Sequence, residues 1–385
     1  MEYFLTETQR EILALTREIA EREIVPVRSK LDEEEIFPRE IVRTLGEAGL
    51  MGVFVPEEYG GVGSSMMDLC LVTEELSRAC LGVSTTYGAI VLGTLPVLIA
   101  GDDAMKARVL PKVASGEWVA AFCLTEAEAG SDAFSMRTRA VRDGEAFVIS
   151  GTKQWITNGG EADFYTVIAM TDPGRGARGA SAFLVEKDTP GLSFGKREDK
   201  LGIRASATRE VVFDAVRVPA ANRIGREGTG FLVTMHTLER ARVAVGAQGV
   251  GLAAAALDAA IAYASERKQF GKPIAAFQAI GHMLADMAMR VESARALLYA
   301  VARSIDGGSH DFAMESSMAK VVGSDAAMSV AVDAVQVFGG YGYMKDYPVE
   351  KMLRDAKILQ IYEGTNQIQK NEIAQALIKR AARRG

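Results

Sequence analysis

Glu363 stands where a carboxylate could work as a proton acceptor. It follows Ile358-Leu359-Gln360-Ile361-Tyr362, apolar but for one residue, and it precedes Gly364. A carboxylate taken out of water loses the solvation that favours its charge, so its pKa climbs toward the working range of a base. Glycine beside it permits close approach of backbone to a ligand. A loop glutamate bonded to nearby amides is the plainer reading, and both fit these residues alone. Arg242 is the second residue out of place. It falls on an apolar stripe made by Phe231, Met235, Leu238, Val245, Gly249 and Leu252, so it needs an anionic partner or a cavity. Glu239, three residues earlier on the same helix, offers an ordinary surface ion pair.

Other chemistries lack their residues. The histidines, His236, His282 and His310, are far apart and none belongs to an H-E-x-x-H set, so no metal site is expected. There is no G-x-S-x-G elbow and no G-x-x-x-x-G-K-[ST] phosphate loop. Gly246, Gly249 and Gly251 weakly imitate a dinucleotide loop, but they lie inside a helical pattern, where close helix packing is the better explanation.

A chain of 385 residues exceeds one ordinary core and predicts two or three domains. With a net charge of −6 and no basic stripe, no nucleic-acid partner is expected. Cys70, Cys80 and Cys123 form no C-x-x-C pair, which suits buried thiols in a reducing compartment. The start, Met1-Glu2-Tyr3-Phe4-Leu5, lacks the pattern of a signal or transit peptide, so a cytoplasmic protein is expected. The stretch from Ala79 to Gly101 carries no charge. Its Ser84-Thr85-Thr86, its glycines and Pro96 favour a buried helix pair or pocket wall over a membrane span.

Three regions must position these residues. Residues 1–116 read as helical. Thr6-x-x-Gln9 is a capping box opening a helix toward Glu23, Pro38 suits the first turn of another that Gly49 could end, and Met66–Cys80 and Asp103–Ala114 follow. Residues 117–226 read as a small antiparallel β-domain. Asp143-Gly144 marks a hairpin between Thr138–Arg142 and Ala146–Ser150, and the runs Phe164–Met170, Ala182–Glu186 and Glu210–Phe213 are separated by turn clusters. Residues 227–385 return to helix. Phe277, Ile280, Leu284, Met287, Val291, Ala294, Leu298, Val301 and Ile305 make the seam of a long bundle helix. The predicted class is α+β: an N-terminal helical domain, a middle antiparallel β-domain and a C-terminal four-helix bundle, with a cleft between domains.

Five segments, in order, resemble the acyl-CoA dehydrogenases. Phe122-Cys123-Leu124-Thr125-Glu126 through Gly130-Ser131-Asp132 resembles the family's first flavin-contact segment, and Lys153-Gln154-Trp155-Ile156-Thr157-Asn158-Gly159 its second. Glu266-Arg267-Lys268-Gln269-Phe270-Gly271-Lys272-Pro273 looks like the segment that reaches the FAD of a neighbouring subunit. Gln336-Val337-Phe338-Gly339-Gly340 is similar to the adenine and pyrophosphate contact, and Tyr362-Glu363-Gly364-Thr365-Asn366-Gln367 to the catalytic-base segment. The likeness runs from near the N-terminus past residue 370.

The resemblance implies an FAD enzyme that oxidises the α,β-bond of a coenzyme A thioester, Glu363 taking the α-proton and the β-hydride passing to flavin N5. It places Trp155 over one flavin face and Thr125 and Thr157 at its edge. It makes Phe122, Leu124, Ser131, Ile156, Arg267, Gln269, Phe270, Gln278, Gln336, Val337, Gly339, Gly340, Thr365 and Gln367 further cofactor contacts. Ser131, Glu239, Arg242, Tyr362 and Gly364 are implied on the substrate side. The Glu363 amide would help hold the thioester oxygen. The family more often has Asp at Glu239, and many members have proline at Ala127. One branch takes its base from the position of Ala241, which cannot serve here. An uncharged wall from Val83 to Pro96 favours a short, branched or cyclic apolar acyl group, with Tyr87 limiting depth. The family usually passes electrons to an electron-transfer flavoprotein and forms homotetramers. An oxygen-using oxidase and a non-catalytic assembly factor are the alternatives.

Overall fold

The structure, a computed structural model, describes residues 3–63 and 65–382; Met1 and Glu2 of the amino-terminal stretch read above lie outside them. The chain opens with α1 (Glu7–Ile19), α2 (Arg28–Glu33), α3 (Arg39–Glu47), α4 (Met66–Ala79), α5 (Leu81–Ala100) and α6 (Asp103–Ala114). The Thr6–Gln9 capping box forms reciprocally, each side chain accepting the other's amide N–H at 3.2 and 3.1 Å. Past Ile19 the helix continues as a π turn to Ile24, close to the expected end at Glu23. Pro38 caps α3 from just outside it rather than from its first turn. Gly49, at φ 77°, turns the chain out beyond the helix end.

Eight strands follow: β1 (Ala120–Cys123), β2 (Arg139–Asp143), β3 (Ala146–Thr157), β4 (Phe164–Met170), β5 (Ala180–Glu186), β6 (Leu192–Arg197), β7 (Thr208–Pro219) and β8 (Arg223–Ile224). They form one sheet in the order β6-β7-β3-β2-β4-β5-β8, with β1 paired on β4. Pairing is mainly antiparallel, but β1 runs parallel to β4 and β2 touches β4 in parallel register. The hairpin between β2 and β3 turns on Gly144-Glu145, one residue later than Asp143-Gly144, because Asp143 still pairs with Ala146. Gly144, at φ 59°, takes the first turn position, which demands a positive φ. Strand β4 is buried along its whole length, which explains its unbroken apolar run.

The chain then returns to helix in α7 (Gly230–Glu266), α8 (Gln278–Asp306), α9 (Ala313–Phe338), α10 (Val349–Leu359) and α11 (Asn366–Ala382). The α8 seam is buried from Met287 through Val301, whereas Phe277, Ile280, Leu284 and Ile305 are half-exposed. The glycines of α7 serve packing. A Cβ on Gly249 would meet the Gly323 backbone of α9 at 2.4 Å, and one on Gly251 the Glu74 carbonyl of α4 at 2.1 Å.

Helix α5 lies between sheet and bundle. It is one of three helical stretches long and apolar enough to cross a membrane by length and composition, yet 72% of its most apolar window is buried inside the protein. Polar ties hold it there. Asn158 of the β-domain donates to Thr86 and Ala120 carbonyls, Thr166 to the Gly93 carbonyl, and Gln248 of α7 to the Ser84 carbonyl. These bonds lock the three layers around one cavity.

Candidate active site

That cavity encloses about 410 Å³ between α5, the ends of β1 and β3, α7 and the turn before α11. Its charged lining residues, among the described residues, are Arg242, Glu363 and Glu372. Thr85, Gly88, Ala89, Val91 and Leu92 form the α5 wall, as expected for an uncharged pocket side.

Glu363 sits in the turn between α10 and α11 with a left-handed φ of 52°, uncommon for a residue with a side chain. Gly364 follows at φ 91°, a conformation that favours glycine, and a Cβ there would meet Gln369 Nε2 at 2.4 Å and push that side chain aside. The turn is held from both sides. Gln369 donates to the Glu363 and Gly364 carbonyls at 3.1 and 3.3 Å. Lys320 of α9, fully buried, donates to the Gly364 carbonyl at 2.9 Å and to Asn366 Oδ1 at 2.8 Å. Glu363 keeps contact with the cavity, but its Oε2 is sealed from solvent and has no hydrogen-bond partner. Burial pushes its pKa up to about 7, against the opposing pull of the Arg242 and Lys320 charges. Burial likewise lowers Lys320 to about 8, partly offset by Glu363.

The turn's neighbour Tyr362 donates to Gln248 Oε1 at 2.5 Å, and Gln248 passes the link on to the Ser84 carbonyl at 3.2 Å. Arg242 is 3% exposed and finds its anion, but not in Glu239. Its guanidinium grips Glu372 of α11 with two bonds, 2.5 and 3.1 Å, and Ser317 Oγ donates to the same carboxylate at 3.1 Å. Glu239 instead faces His236 Nδ1 at 3.2 Å and does not line the cavity, so the i,i+3 pair is corrected to a pair across helices.

The opposite wall comes from the sheet. Phe122, Leu124, Thr125, Ser131, Trp155, Ile156 and Thr157 all line the cavity. A register shift between Lys153 and Ile156 bulges β3 and gives Trp155 a φ of 54°. The bulge turns the indole out, 58% exposed. Beneath it lies a pair that sequence reasoning missed. Lys153, fully buried, donates to Glu126 Oε1 at 2.9 Å and to the Leu124 carbonyl at 2.8 Å. Glu126 also accepts from the Arg137 and Thr138 amides. Burial opposes the charge on Glu126, but Lys153 and the two amides outweigh it and hold its pKa below the usual range.

The remaining expected contacts fall elsewhere. Arg267, Gln269, Val337, Gly339 and Gly340 line a separate open cleft of about 510 Å³ with Tyr263 and Tyr341. Phe270 projects from a small ribbon of residues 268–273, 92% exposed. Gln278, Gln336 and Gln367 are exposed at the start of α8, the end of α9 and the start of α11. Thr365 Oγ1 accepts from the Ile368 amide at the foot of α11. Tyr87 is a correction: its ring is fully buried, its hydroxyl donates to the Leu50 carbonyl, and it does not line the cavity. On a helix only some positions of the α5 wall can face inward, and Tyr87 points into the N-terminal core. Gln248, Lys320 and Glu372 were not anticipated. Lys320, alone in the apolar stretch Ala319–Val322, carried the same signal as Arg242; Glu372, on a polar helix, carried none.

The cavity between the β-domain and the helical bundle sets an exposed indole on one wall against a carboxylate of raised pKa on the other, an arrangement that suits proton removal beside a flat aromatic cofactor, as in the flavin-dependent oxidoreductases. The chain belongs to the acyl-CoA dehydrogenase family. Residues 6–117 match the family's N-terminal domain, 121–216 its middle domain and 228–378 its C-terminal domain. It is 48% identical over 375 residues to the probable acyl-CoA dehydrogenase fadE25 of Mycobacterium leprae, covering 97% of this chain and 96% of that one. It superposes on butyryl-CoA dehydrogenase from Megasphaera elsdenii with a TM-score of 0.95 and 42% identity, over 98% of this chain and 100% of the other. A chain in a structure of the electron-transferring flavoprotein of Acidaminococcus fermentans gives a TM-score of 0.96 at 44% identity, over 98% and 99%. The protein is an oxidoreductase of acyl-CoA thioesters, and its cofactor is FAD. The exposed Trp155 face, the threonines at the strand ends and the cavity between the walls fit a flavin ring.

Proposed function

We propose that this enzyme removes the α- and β-hydrogens of a short, branched or cyclic apolar acyl-CoA, with Glu363 as the base. The observation that carries the reading is the Glu363 carboxylate, which lines the cavity with a free, sealed Oε2 and a pKa near 7. A carboxyl with that pKa is about half ionised at neutral pH, and it is a stronger base than an ordinary carboxylate, which helps remove a weakly acidic α-proton. When bound, FAD supplies the acceptor for the β-hydrogen with its two electrons. The α-hydrogen leaves as a proton to Glu363, its bonding pair forms the new double bond, and the thioester becomes a 2-enoyl-CoA. The turn that Lys320 and Gln369 hold keeps the carboxylate aimed into the cavity. The Glu363 amide is the group we assign to the thioester oxygen, where negative charge develops.

The acyl assignment rests on what faces the chain's tail. Arg242 is the one cation among the described residues of the lining, and Glu372 already neutralises it. A dicarboxylate tail would therefore find no free positive partner. The Tyr362–Gln248–Ser84 link crosses from the base turn to α5, and Gly88 lies against it: a Cβ there would stand 3.2 Å from Gln248 Nε2. We expect Gln248→Ala to open space beyond this bar and to shift the preferred acyl length upward, lowering KM for longer straight chains. Steady-state comparison of four- to eight-carbon thioesters checks this; an unchanged chain-length profile removes Gln248 from the acyl pocket.

Further assignments follow from the second cleft. Arg267, Gln269, Val337, Gly339 and Gly340 face open space away from the main cavity, which suits FAD shared between two subunits of a homotetramer. Phe270, exposed on the ribbon beside Arg267 and Gln269, suits such a contact. The partner proposed for reoxidation is an electron-transfer flavoprotein, supported by the fold shared with the Acidaminococcus fermentans chain. Anaerobic addition of straight, branched, cyclic and dicarboxylic acyl-CoA thioesters to the yellow holoenzyme tests the whole reading. Rapid bleaching by an apolar member is the expected result; bleaching by dicarboxylic thioesters alone overturns the acyl assignment.

A further inference from the structure

Arg242 and Glu363 line the same cavity and carry opposite charges, yet they are not bonded to each other. Each has an idle polar atom. Glu363 Oε2 and Arg242 Nε are both buried, and neither has a hydrogen-bond partner. Two complementary groups that share a cavity without bonding each other need a reason, since each keeps a buried polar atom without a partner. The reason is Glu372. It takes the forked face of the guanidinium through both terminal nitrogens, and it is itself anchored by Ser317 Oγ from α9. A bidentate grip fixes the plane of a guanidinium as well as its place.

We propose that Glu372 is a positioning residue that holds the Arg242 guanidinium off Glu363 and so keeps Glu363 an unpaired base. The proposal rests on Glu363 being the base; its geometry does not. A carboxylate paired with arginine is a weaker base, because the pairing favours the ionised form and resists protonation. Glu372 therefore separates two jobs. Arg242 remains in the cavity wall as a cation with its charge balanced, and Glu363 remains ready to take a proton.

The other charged groups around this site come from three helices. Helix α7 carries Arg242, with Glu239 engaged by His236 and Arg240 bonded to the His236 carbonyl one turn away. Helix α9 brings Lys320, bound to Gly364 and Asn366, and Asp325, which accepts from Gln360 and Asn366. It also carries Glu315, paired with Arg380 of α11. Helix α11 contributes Glu372 itself. Neither α5 nor the β-domain brings a charged side chain to the cavity. Glu239 and Glu315 each have a partner that does not depend on Arg242, although Glu315 Oε2 is buried without one. Loss of the Glu372 charge leaves Glu363 as the remaining carboxylate that lines the cavity with Arg242, among the described residues.

The test is Glu372→Gln in the holoenzyme, with Glu372→Asp beside it. Two quantities are read across pH 5 to 9. One is the rate of anaerobic flavin bleaching at saturating acyl-CoA. The other is the carboxyl carbon signal of Glu363 in protein labelled with carbon-13 glutamate, assigned by its loss in Glu363→Gln. In E372Q the Glu363 signal titrates about one pH unit or more lower than in the parent, as for a carboxylate that gains an arginine. The acid limb of bleaching moves down with it, and the plateau rate falls severalfold. E372D keeps the charge and restores most of both. FAD content and thermal midpoint, recorded for each variant, report whether the fold is intact. If E372Q holds FAD and its Glu363 titration is unmoved or rises, the proposal is wrong. A Glu363 signal that shifts while bleaching is indifferent to E363Q would retain the Arg242–Glu372 clamp and remove Glu363 as the base.

Discussion

Glu363→Gln lowers the rate of acyl-CoA-dependent flavin bleaching by about a thousandfold or more, the scale expected when a positioned general base is removed. FAD and acyl-CoA still bind, because the amide is nearly the same shape and the turn's bonds run to backbone carbonyls and Asn366, not to the Glu363 carboxylate. Stopped-flow bleaching with a spectral titration of ligand binding checks both halves; near-parental bleaching in the variant ends the mechanism proposed here. The parent has a matching pH signature. The base must be ionised, so the rate falls as pH drops through about 7, the value that burial sets for Glu363. Stability runs the other way. The folded-state pKa lies above the unfolded value of about 4.3, so the folded state prefers the proton. The penalty for ionisation begins above the unfolded pKa and is complete above the folded one. Glu363→Gln should therefore melt later than the parent at pH 8, with the gap closing toward pH 4. An active-site carboxylate that costs stability where it works is a common exchange.

Lys153→Met is the second large effect. Lys153 is fully buried, and its ammonium satisfies both Glu126 and the Leu124 carbonyl. Removing one partner of a buried ion pair leaves the other charge uncompensated, at a cost of about 3–5 kcal/mol. The loss reaches function because both contacts sit directly behind Leu124 and Thr125, which line the cavity. We expect a lower denaturation midpoint and faster FAD release. The double variant Lys153→Met with Glu126→Gln should recover much of the stability, since no buried charge is then stranded. A single variant within about 1 kcal/mol of the parent would show that the pair contributes little, as many surface ion pairs do.

Much of the architecture was legible from period and punctuation. The capping box at Thr6, the limits of α4 and α6, and the strand Phe164–Met170 depend on neighbours within a few residues. Local rules suffice for such features. The hairpin turn was displaced by one residue because Gly144 must take the positive-φ position, and strand register decides which turn position that is. The parallel placement of β1 on β4 had no sequence signal, as it joins segments some forty residues apart.

The site divides along the same line. Glu363, Trp155 and Arg242 were visible one at a time, because each is a residue type at odds with its surroundings or part of a recognisable segment. Their partners were not. Arg242 reads as a partner of Glu239 along one helix, but it bonds Glu372, 130 residues away. Tyr87 reads as a pocket residue, but the rotation of α5 turns it into the core. Lys320 and Gln248 act on the base turn from helices that reach it only after the bundle has packed. Local pattern and recognisable segments were enough for the elements, the class of chemistry and the carboxylate proposed as its base. Which charges meet was settled in the folded chain, because pairing over long separations depends on how helices rotate and cross, and no local pattern records that.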